Sequence, residues 1–94
     1  MDWIFEIRDK SGRNIHLSDE RWTHIQKHPE MSGNIEQIKE TLVKPTLIIP
    51  QDYDPNVRFY FRFYKDMKKF LFVSVKYLNG DGFIITSFYT DKAK

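Results

Sequence analysis

Cysteine is absent from the 94-residue chain, which removes disulfides, thiolate metal sites and a cysteine nucleophile together. No apolar run approaches the length that spans a bilayer, and the opening Met-Asp-Trp-Ile-Phe-Glu does not read as a signal peptide. An intracellular, cytoplasmic protein without membrane attachment is therefore expected. The few glycines and prolines sit at the ends of patterned segments, and no internal repeat or low-complexity stretch appears. What remains is ordinary for a soluble domain, 40% apolar and 30% charged, and it is long enough for one modest core over residues 1–94. Aromatic residues are the excess, at 16%, and they gather in the second half.

The net charge of +2 conceals a segregation. Between Val57 and Lys76, six Lys and Arg stand against the single Asp66, a balance of +5 that leaves the rest of the chain at −3. Basic charge on one supersecondary unit points to polyanions. The same unit holds Val57–Tyr64, Val-Arg-Phe-Tyr-Phe-Arg-Phe-Tyr, where Val57, Phe59, Phe61 and Phe63 alternate with Arg58, Tyr60, Arg62 and Tyr64. Period two of this kind is a half-buried strand. Guanidiniums alternating with phenols suit phosphates and stacked bases, although a solvated strand has the same composition.

In chain order, Trp3, Phe5 and Ile7 alternate as a strand, with a turn at Ser11-Gly12-Arg13 and a hairpin partner at Asn14–Leu17. Ser18 is a fitting cap for a helix running to about His28, ahead of Pro29. Asn34 and Gln37 read as the cap pair of a second helix reaching Val43, with Ile35, Ile38 and Leu42 on one face. Thr46–Ile49 is a short strand, and Val57–Tyr64, Phe70–Leu78 and Phe83–Thr90 form a meander. The expected fold is α+β: an N-terminal hairpin and two helices packed on one face of an antiparallel sheet that ends in the three-strand meander. Pairing Tyr64 with Phe70 and Leu78 with Phe83 leaves Arg58, Tyr60, Arg62, Tyr64, Phe72, Ser74, Lys76, Ser87 and Tyr89 on the open face. Phe59, Phe61, Phe63 and Phe88 then lie beneath the helices.

Arg21, His24 and His28 share one side of the first helix, beside the stripe that buries Trp22 and Ile25. Histidine has the near-neutral titration that proton transfer needs, though border histidines are often only solvated. His24 and His28 also have the i, i+4 spacing of zinc ligands. No Glu follows His24 directly and His16 is the only other histidine, so no metal or other cofactor is expected.

The run Asp19-Glu20-Arg21-Trp22-Thr23-His24-Ile25, then Lys27-His28-Pro29-Glu30-Met31, resembles the D-E-R-W-x-H-I-x-x-R/K-H-P-E block of small phage- and mobile-element-associated proteins of the barnase–EndoU–colicin–RelE nuclease type. Thr41–Pro45 and the terminal Ile85–Thr90 are similar to the T-L-x-x-P helix end and final T-A-Y strand of the same pattern, with Ser87 in place of the usual Ala and Lys27 where Arg is common. The resemblance implies a metal-independent, toxin-like ribonuclease. It gives acid–base or phosphate work to His24 and His28 and related roles to Thr86, Ser87 and Tyr89, with Arg58 or Arg62 as phosphate ligand.

The expectation is an endoribonuclease in which a histidine activates the ribose 2′-OH and the product ends in a 2′,3′-cyclic phosphate. RNA would be held by Arg58, Tyr60, Arg62, Lys76 and Lys27, and an antitoxin-like protein inhibitor is a further expected partner. A non-catalytic RNA-binding module, or an interaction domain docking an acidic inhibitor, would use the same surface without proton transfer.

Overall fold

Three long strands carry the sheet, and the helices close over one side of them. The computed structural model describes residues 3–93. Its elements are β1 (Trp3–Arg8), β2 (Asn14–Ser18), α1 (Asp19–Ile25), a 3-10 turn (Pro29–Met31), α2 (Ile35–Val43), β3 (Leu47–Pro50), β4 (Val57–Tyr64), β5 (Lys69–Leu78) and β6 (Asp81–Thr90). The strand order is β1-β2-β6-β5-β4-β3, antiparallel throughout except for the parallel contact of β2 with β6. The α+β architecture with an N-terminal hairpin, two helices on one face and a final meander is as expected. Among the described residues no helix is long and apolar enough to cross a membrane.

Ser18 caps α1 by accepting the Arg21 N–H at 3.1 Å. The helix then stops at Ile25, short of the expected His28. A residue before proline is pushed out of the α region, and His28 sits at φ −86, ψ 107. The preceding turn tightens accordingly, with Lys27 N–H on the His24 carbonyl and His28 N–H on the Ile25 carbonyl. Histidines 24 and 28 are therefore not one turn apart on a continuous helix. The Asn34–Gln37 cap pair is also absent. The Asn34 side chain donates instead to the carbonyls of Glu30 and Ser32.

Trp22 and Ile25 from α1, Met31, and Ile38 and Leu42 from α2 pack on Tyr60, Leu71, Val73, Val75, Tyr77 and Ile84. The expected faces of β5 and of Ile84 are correct, but that of β4 is inverted. Tyr64 pairs with Lys69 rather than Phe70, so four residues close the turn, with Lys68 at φ 54. A one-residue slip exchanges every side chain's face. Tyr60 opposes Val73 and Arg62 opposes Leu71, which puts Arg58, Tyr60, Arg62 and Tyr64 on the helix side and Phe59, Phe61 and Phe63 on the other. The phenols tolerate this burial because their hydroxyls find partners.

The β5–β6 connection is a two-residue turn, Asn79-Gly80, both at positive φ as a tight hairpin of this twist requires. It pairs Leu78 with Asp81 instead of Phe83. Further on, Ile85 falls between the Val75–Ile84 and Ser74–Thr86 pairs as a bulge. The extra residue flips the rest of β6, turning Ser87 and Tyr89 toward the helices and Thr86 and Phe88 away from them. A similar irregularity between Trp3 and Phe5 separates Trp3 from the inward Phe5 and Ile7.

Candidate functional site

Because β4 is inverted, the face opposite the helices is aromatic rather than basic. Phe72 on β5 is flanked by Phe59 on β4 and Phe88 on β6, each with ring centroids 4.8 Å away. Phe61 lies 5.3 Å from Phe72, and the row continues through Phe70 to Phe63, which is 44% exposed. Phe59, Phe61, Phe72, Phe88, Thr90 and Lys92 line an open concavity of ≈ 210 Å³.

His28 ends this row, its ring 5.7 Å from that of Phe88. Its position follows from local chemistry. The pre-proline conformation leads the chain out of α1, and the fully buried Met31 anchors the turn that follows. β2 pairs with β6 only at Gly82 and Phe83, which leaves the later edge of β6 to α1 and the turn. His28 is exposed and stands beside this apolar wall. His24 and Lys27 are exposed on the end of α1 and the turn after it, and His24 enters no ring pair among the described residues.

The other sequence-selected residues divide between the faces. Thr86 shares the aromatic face through its pairing with Ser74, and Lys76 does so through its pairing with Phe83, its ammonium 3.1 Å from Asp54. Ser87 is fully buried on the helix side, its hydroxyl donating to the Phe72 carbonyl at 2.7 Å. Tyr89 donates to Asn34 Oδ1 at 2.8 Å, and burial followed by the Asp66 charge raises its pKa. Arg62 donates to the Lys44 carbonyl at 2.6 Å and faces Glu40. Arg58 lies over the Tyr77 ring, 5.3 Å from its centroid. Tyr60 is fully buried, so a base cannot stack on it.

Two polar clusters escaped the sequence reading. Asp9, 6% exposed, accepts from the hydroxyls of Tyr60 and Tyr77 at 2.6 Å each, and from Ser11 and the Arg13 N–H through its other oxygen. Tyr60 and Tyr77 hydroxyls also bond to each other. Burial and the Asp9 carboxylate push the Tyr60 pKa up to about 12 and raise that of Tyr77 too. His16, equally buried, has Glu6 3.0 Å from Nδ1 and Asp81 3.4 Å from Nε2, with its ring between Trp3 and Phe83. Ser11 and Arg13 lie two and four residues from Asp9 and turn locally around it. Tyr60, Tyr77 and Asp81 are distant from their partners in the chain, and of the longer contacts only Glu6 with His16 follows from the hairpin register. Among the described residues, no three His, Asp or Glu side chains group so as to hold a metal ion.

A helix-backed, mostly antiparallel sheet whose opposite face is lined by phenylalanine rings, with a histidine beside them, defines a small α+β platform domain. The chain belongs to the phage-Barnase-EndoU-ColicinE5/D-RelE like nuclease 2 family, whose model matches residues 5–94. Neither the curated proteins nor the solved structures contain a match to it.

Proposed function

We propose that this nuclease-family domain is an endoribonuclease that needs no metal and works across the Phe-lined face. The observation that carries the reading is the His28 ring against Phe88, at the end of an open concavity. RNA lying there presents its backbone to the rim. His28 takes the proton of a ribose 2′-OH, O2′ attacks the adjacent phosphorus, and the P–O5′ bond breaks. A second group, His24 or the Thr86 hydroxyl, gives a proton to the departing O5′, leaving a 2′,3′-cyclic phosphate and a free 5′-OH. Lys76 and Lys92 balance phosphate charge, with Lys27 beside the histidines. Ser87, Tyr89, Arg58, Tyr60 and Arg62 act from behind, holding β4 and β6 in register rather than touching RNA. An activity of this kind in the cytoplasm calls for restraint, and a toxin-like role with a protein inhibitor over the same face follows from it.

The test is incubation with mixed RNA in EDTA and analysis of fragment ends. Cyclic phosphate ends, a bell-shaped rate–pH profile and intact DNA are expected. His28→Ala should lose roughly 10²–10⁴-fold in rate, the span for removing a general acid or base. Cleavage that dies in EDTA and returns with zinc, or that His28→Ala leaves unchanged, would overturn the mechanism.

A further inference from the structure

The aromatic concavity also has a shape that discriminates between forms of RNA. Phe72 is its floor, 7% exposed, and Phe59 and Phe88 stand on either side of it on neighbouring strands. Phe59 meets the floor ring edge-on, at 85°, and Phe88 at 43°, so the three rings do not close onto one another as a flat stack. Its lining adds a hydroxyl, Thr90, and a cation, Lys92, and among the described residues no carboxylate lines the space. Apolar rings below with one donor-acceptor group and one cation above match a nucleotide with its base inward and its phosphate outward.

We infer that this concavity is a base-binding subsite that admits one unstacked nucleotide, making the RNA bound here single-stranded. The inference rests on the RNA reading of the face given above, and it adds the strand state and the residues that select it. In a duplex the base faces are covered by their neighbours, and protein contact falls on phosphates and groove edges. Neither can reach the Phe72 floor. A loop or single strand can turn one base out, and the rings then recover apolar burial that the free domain forgoes. Lys92 sits where the phosphate of that nucleotide emerges, and Thr90 where a base edge would seek a hydrogen bond.

Binding, not cleavage, tests this. A fluorescent 2′-O-methyl oligoribonucleotide, which lacks the attacking hydroxyl, is titrated with the chain as a single strand and as the annealed duplex. The single strand should bind at least tenfold more tightly. Phe59→Leu and Phe88→Leu keep apolar filling but remove the π face, and each should weaken single-strand binding about 5- to 150-fold, the usual worth of one base–aromatic stack. Thermal melting of both variants establishes that they fold. Equal affinity for the two strand states, or Leu variants that bind as the parent does, would overturn the subsite, even with RNA cleavage intact. Ring-dependent, single-strand-selective binding without cleavage would uphold the subsite and remove the nuclease mechanism. Failure to bind either form, with the face instead buried in a dimer of the chain, would also overturn it.

Discussion

At Asp9 the chain places a carboxylate under a hairpin turn and surrounds it with donors. Burial alone would raise its pKa, but the bonds from Ser11, Tyr60, Tyr77 and the Arg13 N–H together outweigh that and hold it below the usual value of 3.8. Replacing it by Asn turns an acceptor toward the phenols into a competing donor. Asp9→Asn should therefore cost about 1–3 kcal/mol of stability at pH 7, read by urea unfolding. A lowered carboxylate pKa stabilises the fold above its unfolded-state value and loses that contribution as pH falls through the folded value. Parent stability should thus drop more steeply below about pH 4 than that of Asp9→Asn, and parallel acid curves would show that Asp9 does not contribute. The alkaline side has the opposite sign. Tyr60, raised to about 12 from 10.0, favours the fold below pH 10, and that gain disappears as pH rises through 12.

Between elements, the contact to watch is the short parallel meeting of β2 with β6. Gly82 opposes Ile15 there, and a Cβ at Gly82 would stand 2.3 Å from Ile15 Cδ1 and 2.9 Å from Val75 Cγ1. Both side chains are fully buried and cannot move aside freely. Gly82→Ala should destabilise by about 1–3 kcal/mol, the usual cost of overpacking, measured as a lowered urea midpoint at unchanged m. A neutral Gly82→Ala would mean that β2 can slide along β6. His16, Glu6 and Asp81 close the same junction on the aromatic side, where Trp3 and Phe83 cover the imidazole.

Over the whole molecule, charge and aromatic surface lie on different sides from those the alternation implied. Arg62 is bound within the helix side, and Lys76 is paired with Asp54, so the basic excess of Val57–Lys76 does not simply face outward. In the RNA reading proposed above, phosphate neutralisation at the concavity would fall first to Lys92, which lines it. Binding of the 2′-O-methyl single strand should weaken linearly in log salt, and Lys92→Ala should make that slope shallower by about 0.7, the value for one phosphate on a single strand. A slope unchanged by Lys92→Ala would move the backbone path away from the Phe88 side.

The sequence alone determined the α+β class, the helix start at Ser18, the meander and the inward face of β5. Each of these depends on local periodicity or on one side chain reaching its own backbone, and Leu71, Val73 and Val75 have no alternative to burial. It also held the family resemblance, in the run from Asp19 to Met31. The faces of β4 and of the end of β6 were decided by tertiary structure. Phe-Tyr-Phe and Arg-Phe-Tyr alternations are amphipathic in either sense, and a phenol can be buried once Asp9, from a hairpin 51 residues away, accepts a hydrogen bond from its hydroxyl. One residue in the Lys65–Lys68 turn and one bulged residue at Ile85 then fix which rings meet the solvent. Local pattern cannot count turn residues or foresee a distant acceptor, and so the Arg/Tyr side of β4, read as the outer surface, lies against the helices while its phenylalanines face away from them.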